Sequence, residues 1–412
     1  MSVVINRATS KIFQRGIYQY LIDTSIKKNN SVISHIKLNS TNQFVSYKFF
    51  RLPLCRMAHS MVQTNWTSSK DESREMMALW PDIVRDLTEA GRHLEIPDAT
   101  KWMTKVLQYN VPNGKKNRGL ALVYAYRMLV PRDQLTEENI RLARILGWST
   151  ELLQAFLLIE DDIMDHSVTR RGQPCWYLNN NIGLSAINDG ILLEQTVYQL
   201  LRTYFKNHEC YLDLIETFHD TTMKTVMGQT LDMLSTEFGK RPNLNLFTMN
   251  RYNAIVKYKT AYYSFVMPIT LAMHFAGVVD PEMYRQAKTI LLEMGHFFQV
   301  QDDYLNIYGD PRITGKQGLD IKEGKCTWLA VVALQRVTPS QRKIFEECYG
   351  IDDEEKVAQI KQLYDDLGLS TTYAIYEEES YNLMNTHIQQ ISRGLPHDLF
   401  FKILSKIYRR DA

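Results

Sequence analysis

Twice in this chain an apolar run with helical periodicity ends in a cluster of aspartates, and no other feature restricts the fold as much. The first is Gln154-Ala-Phe-Leu-Leu-Ile-Glu-Asp161-Asp162-Ile-Met-Asp165, trailed by Arg170 and Arg171. The second is Gln299-Val-Gln-Asp302-Asp303-Tyr-Leu-Asn306. On a helix, Asp161 and Asp165 share one face, so two carboxylates enter the same volume and repel each other unless a cation joins them. Both clusters close their helices at the carboxyl end, where the macrodipole disfavours negative charge by about 0.3–1 kcal/mol per group. Apolar helices that end in this way have to bury their sides against one another and turn their acidic ends towards positive charge.

From about residue 71 the pattern is helical almost throughout. Thr136 before Glu137-Glu138 and Asp280 before Pro281 read as helix starts. Gly309-Asp310-Pro311 reads as a stop. The helix from Pro281 to Tyr308 then runs roughly 42 Å, a length typical of bundles. Two loops interrupt the helices with basic and small residues, Asn113-Gly-Lys115-Lys-Asn-Arg118-Gly119 and Thr314-Gly-Lys316-Gln-Gly-Leu-Asp320. The fold class is therefore all-α, a single large bundle preceded by an irregular extension.

Hydrophobic residues make up 45% and charged residues 23%, enough for a large core and too apolar for wholesale disorder. The net charge of +2 gives no argument for nucleic acid. Charge is uneven, however: residues 1–69 hold nine Lys/Arg and one acid, Asp23, out of 48 and 46 in all. Arg7, Lys11 and Arg15 recur beside an apolar stripe of Ile5, Ile12, Phe13, Ile17 and Leu21, the composition of a mitochondrial transit peptide. Met57 and Met61 offer internal starts for a cytoplasmic form. The division expected is 1–69 as transit segment and linker, and 70–412 as the enzyme domain. Cys55, Cys175, Cys210, Cys326 and Cys348 are scattered and odd in number, which suits a reducing compartment better than a disulfide framework. Thr260–Val279 lacks formal charge but carries Tyr262, Tyr263, Pro268 and His274, so it reads as a buried helix and not as a membrane span.

Aspartates without neighbouring His or Cys are hard oxygen ligands suited to Mg²⁺, which is commonly shared between carboxylates and a phosphate group. Arg170, Arg171, Lys115, Arg118, Lys259 and Lys316 fit as phosphate binders. Acids, bases and apolar helices together suit a substrate that is anionic at one end and greasy at the other, such as a prenyl diphosphate. A lone Asp-Asp-x-x-Asp is more often a solvated, salt-bridged helix end. Two such clusters, each trailed by a basic loop, weigh against that.

Asp161-Asp162-Ile-Met-Asp165, Thr169-Arg170-Arg171-Gly172-Gln-Pro-Cys-Trp-Tyr177, Gly228-Gln-Thr-Leu-Asp232, Lys257-Tyr-Lys259-Thr260 and Gln299-Val-Gln-Asp302-Asp303-Tyr resemble, in order, the motifs of the short-chain trans-prenyltransferases of animal type. The resemblance covers roughly residues 75 to 412. It implies a helical bundle around a central cavity, a homodimer, three Mg²⁺ ions per site, and condensation of isopentenyl diphosphate with dimethylallyl and then geranyl diphosphate to a C15 product. By the same resemblance Asp161, Asp165 and Asp302 would hold metal, with Asp162 and Asp303 in support. Arg170, Lys259, Thr260, Gln299, Lys316 and Lys325 would surround the allylic substrate, with Arg170, Lys259 and Thr260 closest to the chemistry. Lys115, Arg118, Gln154 and Arg171 would bind isopentenyl diphosphate. Phe156 and Leu157 would form the floor that limits product length, Leu157 standing where the family often has an aromatic. Asn306 stands where the second motif normally ends in Asp, which implies weaker binding of the third ion. Two other readings remain open at this stage: a terpene synthase derived from the family, acting on a C15 diphosphate alone, and an inactive helical partner subunit.

Overall fold

A computed structural model describes residues 67–92, 95–236, 241–310 and 318–410. The basic head up to Trp66 and the 311–317 segment with Lys316 lie outside the described residues. The chain begins with α1 (Thr67–Arg92), α2 (Pro97–Asn110), α3 (Asn117–Leu129) and α4 (Glu137–Met164). Two-residue strands β1 (Thr169–Arg170) and β2 (Gln173–Pro174) pair antiparallel. Next come α5 (Ala186–Phe205), α6 (Tyr211–Ser235), α7 (Met249–Ile255), a π-helix (Val256–Val266), α8 (Met267–Phe275) and α9 (Pro281–Tyr308). The described chain closes with α10 (Asp320–Glu323), α11 (Trp328–Leu334), α12 (Pro339–Cys348), α13 (Glu354–Asp366), α14 (Leu369–Gln389) and α15 (His397–Ile407).

The bundle is all-α, as the periodicity predicts, and α4 and α9 are its two long members at 28 residues each. Thr136 caps α4 by accepting the Asn139 amide at 3.2 Å, and Asp280 caps α9 by accepting the Glu282 amide at 2.9 Å. Each cap satisfies a backbone donor that the helix itself leaves open. Helix α4 packs on α3 and α5, burying Leu142, Leu146, Trp148, Leu152 and Phe156. Trp148 places its indole N–H on Met76 O at 2.8 Å, tying α4 to α1. Helix α4 is the described helix long and apolar enough to cross a bilayer, and 78% of its apolar window is buried inside the bundle.

The uncharged stretch Thr260–Val279 is largely buried as far as Met273, ends at an exposed Val279, and is not one regular helix. Its first part belongs to the π-helix, α8 follows, and the turn after α8 uses Gly277 at φ 71°. Pro268, at the start of α8, has no amide hydrogen, so the helical ladder breaks there. The π-helix packs on both α6 and α9. A Cβ on Gly228 of α6 would lie 2.2 Å from Lys259 N, so only glycine lets α6 come this close to the π-helix backbone.

Candidate active site

Asp161, Asp162 and Asp165 close α4 and meet three cationic side chains from three separate segments. Arg170, on β1, donates to Asp162 through Nε at 3.0 Å and lies 3.4 Å from Asp161. Lys259, on the π-helix, lies 3.2 Å from Asp161 Oδ1 and donates to Asp232 at 2.7 Å. Lys325, just past α10, donates to Asp165 at 2.6 Å and lies 3.6 Å from Asp232. Four carboxylates thus face three cations. Burial opposes the charge on Asp161, but Lys259, Arg170 and Lys325 outweigh it and hold its pKa below the usual carboxylate range. Asp232, also buried, is drawn down to about 2 by Lys259 and Lys325. Asp165 goes the other way, raised by burial and then by the charge of Asp161. Burial likewise raises Asp162. Lys259 and Lys325 are held protonated against burial by these same aspartates.

Among the described residues no ready-made group of three acidic, His or Cys side chains encloses a metal position. The donor set nevertheless fits a hard cation. Asp161 Oδ1 is shut off from solvent with Lys259 Nζ at 3.2 Å, and the carboxylates of the cluster outnumber the cations around them. A buried excess of carboxylates over cations is costly unless a further cation joins them.

The facing wall is α9. Thr260 Oγ1 donates to Gln299 Oε1 at 2.9 Å, and Gln299 Nε2 donates to Asp303 at 3.0 Å. Asp303 also accepts Tyr252 O–H and the Trp328 amide, each at 2.8 Å, so it anchors α7 and α11 to α9. Burial pushes its carboxyl up to about 8 against these donors. Asp302 lies 3.5 Å from Arg410, whose guanidinium also stacks on Phe298 at 3.8 Å and donates to Gln301 at 2.6 Å. Asn306, read as a depleted metal ligand, has its amide committed to Asp320: Nδ2 donates at 2.9 Å and Oδ1 accepts the Asp320 amide at 3.3 Å.

A second, basic cluster lies beyond the hairpin. Arg171 and Gly172 form its two-residue turn, both at positive φ (55° and 75°), the geometry of tight β-hairpins. Arg170 therefore turns to the aspartates while Arg171 reaches Asn110 O at 3.1 Å. Arg118 donates to Ser264 at 2.6 Å, stacks over Tyr263 at 4.5 Å and leaves its buried Nε without a partner. Lys116 donates to Pro112 O and Gly114 O, whereas Lys115 is exposed on the same loop. Buried Glu151 accepts the Gly119 amide at 2.9 Å. Burial lowers the pKa of Lys116 and Arg171 despite the attraction of Glu151. Gln154 lies half-buried one turn beyond Glu151 on α4, with Phe156 buried and Leu157 half-buried against the main core.

The structure thus gathers Asp161, Asp162, Asp165, Arg170, Lys259 and Lys325 into one cluster, and Thr260, Gln299 and Asp303 into a chain beside it. Sequence reasoning gave no role to Asp232, although it closes a quoted motif. It also gave no role to Lys116, Glu151, Tyr263, Ser264 and Arg410, whose partners are set only in the folded chain.

Comparison with known proteins gives a consistent result. Residues 100–367 match the family model for polyprenyl synthetase. A farnesyl pyrophosphate synthase from Nezara viridula is 49% identical, with 92% of this chain and 90% of the relative covered. One from Gallus gallus is 48% identical, with 82% and 92% covered. A solved T. brucei farnesyl diphosphate synthase complexed with risedronate superposes with a TM-score of 0.76 at 31% identity, covering 82% of this chain and 99% of that one.

Proposed function

The chain belongs to the polyprenyl synthetase family, among the farnesyl diphosphate synthases, and from that membership we propose how its residues divide the work of condensing isopentenyl diphosphate with an allylic diphosphate. The activity is that of a prenyltransferase of isoprenoid biosynthesis. One observation carries the division: in the acidic cluster four carboxylates face three cations, and the basic cluster holds an orphaned donor, Arg118 Nε. The first calls for a cation and the second for an anion. Two diphosphate substrates, one of them metal-bound, meet both needs.

Asp161, Asp165 and, on α9, Asp302 are the residues that would hold Mg²⁺, which when bound neutralises a diphosphate leaving group. Arg170, Lys259 and Lys325 bind the allylic diphosphate beside them, and the family resemblance adds Lys316 to this set. As the allylic C–O bond breaks, its electron pair leaves with the diphosphate and these three cations stabilise the growing charge. Thr260, oriented by Gln299, flanks the carbocation. Lys116, Arg118 and Arg171 hold the isopentenyl diphosphate, with Lys115 and Gln154 at the edge of that site. Its π electrons form the new C–C bond, and the proton lost from the adjacent carbon passes to the released diphosphate. Asp162 keeps Arg170 in place, and Asp303 keeps Gln299 in place. A reaction that only ionises one prenyl diphosphate has no use for the basic cluster, so neither the terpene synthase nor the inactive partner is favoured.

The test supplies full-length protein and Mg²⁺ with either dimethylallyl plus isopentenyl diphosphate or farnesyl diphosphate alone. Mass spectrometry should find newly formed farnesyl diphosphate in the first tube and unconverted farnesyl diphosphate in the second; a sesquiterpene in the second would overturn the reading. Asp161→Ala should lower turnover by orders of magnitude, because it removes charge stabilisation from the departing diphosphate.

A homodimer is supported by an apolar surface on the adjacent helices α5 and α6. Ile187, Ile191, Met223, Val226 and Met227 are all exposed there, Met227 at 60%. An exposed patch of this kind marks an interaction surface. Mitochondrial targeting by residues 1–69 rests on their composition. It is tested by whether a tagged full-length chain enters mitochondria and one starting at Met61 does not.

A further inference from the structure

Asn306 and Asp320 form a two-bond clasp across 14 residues of chain, and we propose that this clasp positions Lys325 for the diphosphate, making Asn306 a positioning residue and not a weakened metal ligand. The amide of Asn306 donates to Asp320 Oδ1 at 2.9 Å, and the Asp320 backbone N–H returns a bond to Asn306 Oδ1 at 3.3 Å. Both functional atoms of the amide are thereby used. Gly318 packs so closely on Asn306 that a Cβ there would come within 1.7 Å of its carbonyl oxygen. Asp320 in turn opens α10, and its carbonyl accepts the Lys325 amide at 3.0 Å as the chain turns through Gly324 at φ 66°. On the far side Tyr349 O–H holds the Lys325 carbonyl at 2.6 Å. The Lys325 backbone is fixed at both peptide groups, and its ammonium reaches Asp165 at 2.6 Å. A chain of bonds therefore runs from the last turn of α9 to the acidic end of α4.

The chemistry of the pair explains why an amide suits position 306. Aspartate there would set a carboxylate oxygen where Nδ2 now donates, about 2.9 Å from Asp320 Oδ1. Two like charges at that distance repel, and the clasp opens. Asn306→Asp would then add negative charge near the second motif and yet weaken the site. Exchanging the partners, Asn306→Asp with Asp320→Asn, keeps one amide, one carboxylate and the backbone donor, so the clasp closes with reversed polarity.

The inference rests on Lys325 binding diphosphate, so the experiment measures binding without turnover. Inorganic diphosphate is titrated calorimetrically into full-length protein in Mg²⁺. Asn306→Asp is expected to weaken binding about tenfold, the double exchange to recover affinity to within about threefold, and Asn306→Asp to have no further effect in a Lys325→Ala background. If Asn306→Asp does not fold, Asn306→Ala takes its place as the single variant, with the same loss of affinity and the same dependence on Lys325 expected. Wild-type affinity in the single variant, failure of the exchange to recover it, an undiminished effect without Lys325, or a lower Mg²⁺ requirement for Asn306→Asp would each overturn the clasp. Unchanged affinity in Lys325→Ala alone would overturn the reading of the site, and the inference with it.

Discussion

At the scale of single residues, the acidic cluster works by imbalance. Asp232 is the clearest case because its environment lowers its pKa from 3.8 to about 2. A carboxyl whose folded pKa lies below its unfolded value adds stability that is fully present above the unfolded pKa and is lost as pH falls through the folded one. Asp232 therefore contributes about 2 kcal/mol that disappears between roughly pH 4 and pH 2. Asp232→Asn should flatten that part of a metal-free stability–pH curve, and an unaltered acid limb would contradict the ion pairs with Lys259 and Lys325. The proposal that Phe156 and Leu157 limit product length makes a separate prediction. Phe156 is buried on α4 beside half-buried Leu157. Phe156→Ala should open room for one more isoprene unit and shift product from C15 towards C20, as read by chromatography of the dephosphorylated alcohols.

At the scale of elements, close approach places the reactive groups. The π-helix carries Lys259, Thr260, Tyr263 and Ser264, so one element serves both clusters. π-helical segments are rare and concentrate at functional sites. Its depth is set by α6, where Gly228 leaves no room for a Cβ against Lys259 N. Gly228→Ala should push the two helices apart and displace the ammonium from Asp161 and Asp232. Turnover should fall by ten- to a hundredfold, the scale of a misplacement of about 1 Å, with the fold retained by circular dichroism. Full activity in that variant would mean that the π-helix position is not set here. The hairpin does comparable work: its turn at Arg171-Gly172 sends adjacent arginines to opposite clusters.

At the scale of the whole molecule, the described helices build two cores, one from α1 to α6, most of the π-helix, α8, the upper part of α9, the end of α14 and α15, the other from α7, the start of the π-helix, the lower part of α9, α10 to α13 and the start of α14. The site lies where α4 and α9 end. The exposed apolar face on α5 and α6 has no cover within the described chain. Met227→Glu should convert a dimer to a monomer in sedimentation equilibrium, because a charge in an apolar contact costs several kcal/mol unless paired. A single mass shared by the variant and the wild type would exclude that face as the interface.

Family resemblance joined Lys259 to the acidic cluster, while the linear chain itself determined the helical class, both caps at Thr136 and Asp280, the length of α9, and the grouping of Asp161 and Asp165 with Arg170 close behind. These are legible because periodicity, capping and clustered charge are local, acting over three to seven residues. Tertiary structure alone decided what each charge faces. Asn306 spends its amide on Asp320, Arg410 comes from the end of the chain to Asp302, and Lys116 turns inward while Lys115 stays exposed. Asp232 joins two lysines that lie 27 and 93 residues further along. Partners so distant in sequence leave no spacing to read; burial selects them by requiring each charge to find its complement once helices from separate parts of the chain have packed.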